Sequence, residues 1–168
     1  KIEEVKLDIN PQPDKKNNSE DKRGNTIIEL QWKKPNTTIN INMNLALTNH
    51  TNLQTIQSKA SFPLTVKNNQ LKEYLHSSEL VQSNDRQIKQ KAETITRGAK
   101  TEFDAVQQIL TWVIDNMRYV TPPVKYDALY SFNSGKGNCQ NYSHLSAALM
   151  RAVGIPVRIV NGITLKKP

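Results

Sequence analysis

The chain of 168 residues contains one cysteine and three histidines, and both scarcities restrict its chemistry. A single cysteine cannot form an internal disulfide, so a disulfide-stabilised scaffold is excluded. His50, His76 and His144 lack the paired spacing of a zinc site. No apolar run is long enough to span a bilayer. The sequence therefore predicts no metal, no other cofactor and no transmembrane segment.

Aromatic residues are also scarce, at 6% of the chain, although the formal net charge is +8. The basic residues occur as scattered pairs, such as Lys15-Lys16 and Lys33-Lys34, and aromatic residues do not interleave with them. Nucleic-acid-binding modules usually combine clustered basic residues with stacking aromatics. We therefore expect a solvated basic surface and no nucleic-acid partner.

The first part of the chain has the pattern of β-structure. Residues 2–9, 26–32 and 39–47 are predicted strands, and the last alternates strictly between apolar and polar residues. The segment 11–25, rich in Pro, Asn and charge, is predicted to be a loop. A further strand is predicted over 53–66. Several short strands with polar turns favour a small antiparallel β-sandwich.

Helical signals begin after about residue 71. Ser83, Asn84 and Asp85 are candidate caps of a helix over 86–97, and Thr101 with Asp104 predicts the start of the next. A further helix is predicted from Cys139 to Val153, followed by a strand over 157–165. We expect a β-rich domain at residues 1–68, a linker at 69–82 and a second domain at 83–168.

Cys139 lies where a glycine-rich turn enters this last helix. Unpaired backbone N–H groups and the helix dipole would both lower the pKa of a thiol at that position. Gly135 and Gly137 permit tight turns and the close approach of a substrate. The Cys139 N–H could also stabilise an oxyanion. Free cysteines are often buried and inert, however, so position alone leaves a nucleophile and a packing residue as open alternatives.

The segment "GNCQNYSHLSAALMRAVGIPVRIVNG", residues 137–162, resembles the core motif of the transglutaminase-like superfamily. The preceding "GAKTEFDAVQQILTWVIDNMRYV" is similar to the helix before the nucleophile in bacterial and archaeal members. The resemblance starts near Ser83. It implies an α+β fold, in which an antiparallel β-sandwich-like domain is followed by the helical front half of a papain-like core.

The resemblance implies that the Cys139 thiolate attacks a protein or peptide amide, and that an amine or water resolves the thioester. It also implies a general-base histidine and an orienting aspartate on later strands. His144 is on the same helix as Cys139 and points away from it, so only Cys139 carries over as a catalytic residue. Gly137 and Tyr119, an aromatic upstream of the nucleophile, are candidate substrate-binding residues.

The catalytic set is thus incomplete, and we expect this chain to be an inactive portion of a cysteine acyltransferase, protease or deamidase. The alternative is a non-catalytic binding or scaffolding module with a degenerate core. An exposed C-terminal strand would favour a dimer or a domain swap. Because the chain begins at Lys1 rather than Met, we expect a lost leader and export to the periplasm, the cell surface or the medium, although a lone cysteine also fits a cytosolic protein.

Overall fold

The computed structural model describes residues 2–48 and 59–162. The chain forms two compact units, Lys1–Gln54 and Thr55–Pro168. This division lies earlier than the predicted boundary at residue 68. The predicted limits, 1–68, 69–82 and 83–168, stay a prediction, but helical structure lies within the range predicted to be a linker. His50 and the start of the strand predicted over 53–66 lie outside the described residues.

The first unit is built from nested antiparallel strands. The outer pair, β1 with β4, runs from Ile2 opposite Leu47 to Asn10 opposite Asn40. The inner pair, β2 with β3, runs from Lys15 opposite Gln31 to Glu20 opposite Thr26. The four strands are β1 (Ile2–Asn10), β2 (Lys15–Glu20), β3 (Thr26–Gln31) and β4 (Asn40–Leu47).

The register of β1 and β4 places apolar residues opposite one another on one face. The cross-strand pairs are Val5 with Leu45, Leu7 with Met43, and Ile9 with Ile41. Of residues 3–48, Ile9 is the only hydrophobic residue that is buried. The predicted alternation is therefore present, but the β-sandwich is not confirmed, because residues 2–48 form two separate two-stranded sheets.

The second unit is mainly helical. Its elements are α1 (Asn69–Lys72), a 3-10 turn (Glu73–Leu75), α2 (Arg86–Ile95), α3 (Glu102–Asn116), β5 (Arg118–Tyr119), α4 (Ala128–Ser134), β6 (Lys136–Gly137) and α5 (Cys139–Ala152). α5 packs against α2, α3 and α4. Their facing apolar side chains form one buried cluster with, at its centre, Ile88, Ile109, Val113, Leu145 and Leu149. Of the helices in the described residues, none has the length and apolarity needed to cross a bilayer.

Side-chain caps fix where these helices begin. Asp85 accepts hydrogen bonds from the backbone N–H groups of Gln87 and Ile88 at the start of α2. Thr101 and Asp104 form a reciprocal capping box at the start of α3, as the sequence predicted. Each cap satisfies backbone donors that the first helical turn leaves unpaired. These caps therefore define the first residues of two helices that pack against α5.

Four local predictions need correction. β2 lies within the segment predicted to be a loop, because pairing with β3 satisfies its polar backbone. α4 was not predicted. Residues 59–66 contain no strand and contribute only a single bridge, from Ser61 to Thr101. Residues 157–162 form no strand either, so the described part of the chain contains no exposed C-terminal strand for a dimer or a domain swap.

Candidate active site

Cys139 is the first residue of α5, and its side chain is exposed. Asn138 precedes it as the N-cap, in an extended conformation. The cysteine therefore lies at the entry to the helix and at the protein surface. The alternative of a buried packing residue is wrong for this position.

Asn138 satisfies most of the first-turn amides of α5. Its Oδ1 accepts a hydrogen bond from the N–H of Gln140 at 3.0 Å, and its side chain also accepts one from the N–H of Asn141. Its carbonyl oxygen accepts one from the N–H of Tyr142 at 3.1 Å. Within residues 2–48 and 59–162, no acceptor is found for the N–H of Cys139. That N–H is therefore one of the first-turn donors for which the helix itself supplies no partner.

A short parallel ladder holds the segment before Cys139. The N–H of Arg118 donates to the carbonyl of Gly135 at 2.8 Å, and that of Val120 donates to Gly137 at 2.9 Å. These bonds pair β5 with β6 and bring Tyr119 level with Gly137. The hydroxyl of Tyr142 adds a bond of 2.7 Å to the carbonyl of Met117. The segment 117–120, which contains β5, is therefore fixed to the loop that carries the cysteine.

Tyr119 is an exposed aromatic residue beside this loop. Its side chain is 59% exposed, and its ring centre lies 6.4 Å from that of Tyr142. The tilted arrangement is typical of paired aromatic rings. Pairing with Gly137 and the contact with Tyr142 therefore place the Tyr119 ring beside this loop.

Gly137 is required by close packing rather than by an unusual backbone angle. Gly135 has the left-handed conformation, with a φ of 60°, and ends α4. Gly137 is buried and is not among the described glycines with positive φ. A Cβ atom at position 137 would lie 2.2 Å from Cβ of Asn141. Both glycines were expected to permit tight turns, but Gly137 instead makes room for the Asn141 side chain.

Residues 89–168 match the model of the transglutaminase-like superfamily. This segment contains α3, α4, α5 and the loop that presents Cys139. The resemblance inferred from the cysteine motif is thereby confirmed.

A solved structure has the same fold as this chain. It is the crystal structure of a proposed cysteine protease from Cytophaga hutchinsonii, with a TM-score of 0.68 and 18% sequence identity. The match covers 93% of this chain and 54% of that one, so the chain spans about half the length of that relative. At this identity the likeness shows the fold alone. No curated protein sequence matches the chain.

The transglutaminase-like segment does not place a histidine against Cys139. Nδ1 of His144 lies 2.6 Å from the carbonyl oxygen of Tyr126. A carbonyl can only accept, so Nδ1 carries the proton in this hydrogen bond. His76 is exposed, and its carbonyl accepts a bond from Arg151 at 2.8 Å. Among the described residues, neither of these two histidines forms a hydrogen bond with the sulfur, and no cluster there could hold a metal.

Arg151 connects the far end of α5 to neighbouring backbone. Its Nε and Nη2 donate to the carbonyl of Val157 at 3.1 and 2.7 Å, and its Nη1 donates to His76. Burial lowers the pKa of this guanidinium from its ordinary value. The contacts are all to carbonyl oxygens, which fits a structural role for the arginine within the transglutaminase-like segment.

Sequence reasoning missed one residue of the site. Asn141 is fully buried, with an exposed fraction of 0%, and its side chain touches three neighbouring segments. Its sequence signal was the spacing of Asn138 and Asn141, three residues apart at a helix start, which is the spacing of a capping box. The roles of Tyr119 and Gly137 in substrate binding stay predictions.

Proposed function

We propose that Cys139 is the nucleophile of an enzyme that acts on protein or peptide amides. The observation that supports this most directly is the exposed thiol at the first position of α5, inside the segment that matches the transglutaminase-like superfamily. A sulfur and an unpaired N–H on one residue are the two groups that acyl transfer needs at the reacting carbonyl.

In the proposed reaction the thiolate attacks the amide carbonyl carbon, and the oxygen becomes an oxyanion near the Cys139 N–H. The carbon–nitrogen bond then breaks, and the amine or ammonia leaves with a proton from a general acid. Water hydrolyses the resulting thioester, or a second amine attacks it, and the thiol is regenerated. Both routes use the same first step.

The general acid and base must come from outside the residues that surround Cys139 here. His144 is bonded to Tyr126, and His76 has no contact with the sulfur. We therefore propose that a histidine and an orienting carboxylate are supplied by other parts of the protein, and that residues 1–168 alone turn over amides poorly. Export of the protein likewise stays a prediction.

The reactivity of the thiol tests this proposal directly, because Cys139 is the only cysteine. We expect the folded chain to react with iodoacetamide at pH 7 about tenfold faster than the chain unfolded in urea, because the exposed sulfur lies at a helix N-terminus, where the dipole and unpaired N–H groups stabilise negative charge. A folded rate equal to or below the unfolded rate would contradict a nucleophilic role. Ammonia release from a glutamine peptide by the whole protein, compared with Cys139→Ala, then tests the reaction.

Tyr119 provides a second arm of this test. If its ring contacts a bound peptide, Tyr119→Ala should slow labelling of Cys139 by a peptidyl chloromethyl ketone about fivefold, the equivalent of about 1 kcal/mol of aromatic contact. Labelling by iodoacetamide, which carries no peptide, should not change. Equal slowing of both reagents would argue against a substrate contact.

A binding or scaffolding function is the second candidate. It is favoured by the absence of a histidine contact to Cys139 among the described residues and by the net charge of +8. Such a module would bind anionic polymers through its basic surface. Cys139→Ala would then leave binding to an immobilised polyanion unchanged, whereas charge reversal at Lys15 and Lys16 would weaken it. The enzyme proposal predicts instead that Cys139→Ala abolishes amide turnover, whereas charge reversal at Lys15 and Lys16 leaves it unchanged.

A further inference from the structure

The side-chain amide of Asn141 is a buried polar group at the start of α5 with a complete set of partners. Its Oδ1 accepts a hydrogen bond from the N–H of Asn138 at 3.1 Å. Its Nδ2 donates to the carbonyl of Lys125 at 2.9 Å and to Oγ of Ser131 at 2.8 Å. Buried polar groups are stable only when they are paired in this way.

The hydrogen-bond partners determine the orientation of the Asn141 amide, that is, which positions its oxygen and its nitrogen occupy. Oγ of Ser131 donates its own hydrogen to the carbonyl of Asp127 at 2.8 Å, so toward Asn141 it acts as an acceptor. The carbonyl of Lys125 is an acceptor by nature. The site therefore requires one acceptor and two donors from residue 141. An amide supplies that pattern, whereas an ionised carboxylate of the same shape supplies acceptors alone.

This amide connects three pieces of chain to the first turn of α5. Lys125 lies in the loop before α4, Ser131 lies in α4, and Asn138 is the N-cap. Gly137 is packed against the Asn141 side chain so closely that a Cβ atom would overlap it. The backbone from Gly137 to Cys139 is thus held on one side by the Asn141 hydrogen bond and on the other by β5.

We propose that Asn141 is the positioning residue for Cys139: it holds Asn138, so that Asn138 satisfies the following amides and the Cys139 N–H stays directed outward beside the sulfur. This inference rests on the proposed function. It assigns to a buried asparagine, rather than to the glycines alone, the geometry of the nucleophile.

Two substitutions test the inference, and a matched control separates charge from hydrogen bonding. Asn141→Asp keeps the shape of the side chain but places carboxylate oxygens, which only accept, against two other acceptors, the carbonyl of Lys125 and Oγ of Ser131. Gln140→Glu introduces the same change of charge one residue away, on an exposed side chain. Asn141→Leu keeps a similar volume and removes all three hydrogen bonds.

The measurements are the pH profile of Cys139 alkylation by iodoacetamide and the amide hydrogen exchange of single residues by NMR. We expect both Asn141 variants to lose most of the folded-state rate enhancement at pH 7, and Gln140→Glu to keep more than half of it. The N–H of Asn138 should exchange at least tenfold faster in Asn141→Leu, because its acceptor is gone, while Leu145 and Leu149 stay protected.

The outcomes distinguish this inference from the proposed function. A wild-type thiol that reacts no faster when folded contradicts the nucleophile, but the exchange of Asn138 still tests the positioning. A fast wild-type thiol whose rate and pH profile are unchanged in the folded Asn141 variants overturns the inference. If those variants do not fold, Ser131→Ala is the alternative test, because it removes one hydrogen-bond acceptor of Asn141 at a distance from the sulfur. An unchanged pH profile of Cys139 alkylation together with an unchanged exchange rate of the Asn138 N–H would also overturn the inference.

Discussion

The two units of the chain bury their apolar side chains to very different degrees. On the apolar face of β1 and β4, Ile41 and Met43 are 49% and 57% exposed, although they follow the expected alternation. In the helical unit, Leu145 is 0% exposed, because α5 is packed by α2, α3 and α4. Alternation decides which face of a ribbon is apolar, but burial requires a second layer.

The contrast also bears on where chemistry can be placed. A reactive group needs neighbours that hold it in one geometry, and these come from packed elements. The start of α5 is held by a capping box, by β5 and by the buried amide of Asn141. Along β1 and β4 the recorded ion pair, between Lys6 and Glu4, is exposed. The second unit is therefore the one suited to a fixed site.

The largest expected effect compares one side chain from each unit. Leu145→Ala should lower the free energy of unfolding of the helical unit by about 2 to 5 kcal/mol, because it leaves a cavity among packed helices. Met43→Ala should change the free energy of unfolding of the helical unit by less than about 0.5 kcal/mol, because the Met43 side chain is largely exposed. Urea unfolding followed by circular dichroism at 222 nm measures both. Equal losses would show that the ribbon face is buried in solution.

An intermediate effect is expected at the loop before Cys139. Gly137→Ala should destabilise the helical unit by about 1 to 3 kcal/mol, because the added methyl overlaps Asn141 in a packed interior. Gly162→Ala is the control, since none of the described residues has an atom within 4 Å of a Cβ atom there. Thermal unfolding measures the difference. A tolerated Gly137→Ala would mean that the loop is less closely packed than the core it adjoins.

The sequence predicted best those elements whose signals are local. The capping box of Thr101 and Asp104 located α3, and the cysteine turn with Gly154 located α5. Alternation located β1 and β4. In these segments the hydrogen bonds and the apolar face are both determined within a few residues, so a local pattern is sufficient.

The elements that were missed depend on distant partners. β2 has a fully exposed, polar sequence, and its pairing with β3 is what makes it a strand. α4 has only seven residues, shorter than the window in which an apolar helical period can be recognised, although Asp127 caps it and Gly135 ends it. The spacing of Asn138 and Asn141 indicated a helix cap, but not the bonds of Asn141 to Lys125 and Ser131, which come together only on folding. The position of Cys139 could be predicted, whereas the residues that hold it could not.

The smallest expected effect is a pH dependence, and it compares one carboxylate from each unit. Hydrogen bonds from Thr101 lower the pKa of Asp104 below its ordinary value, and bonds from Asn25 do the same for Asp21 in the turn between β2 and β3. A lowered pKa in the folded state means stability that is present above the unfolded value of 3.8 and is lost as the pH falls through the folded value. Both carboxylates are exposed, so the effects will be small.

Asp104→Asn retains an acceptor for the Thr101 N–H but does not titrate. We therefore expect the Tm of the helical unit to fall less between pH 5 and pH 3 in Asp104→Asn than in the wild type. Asp21→Asn should leave that Tm difference unchanged, because Asp21 bonds to residues of its own turn. An equal response to both substitutions would mean that the two units unfold as one, and the comparison between a packed unit and an open ribbon would then fail.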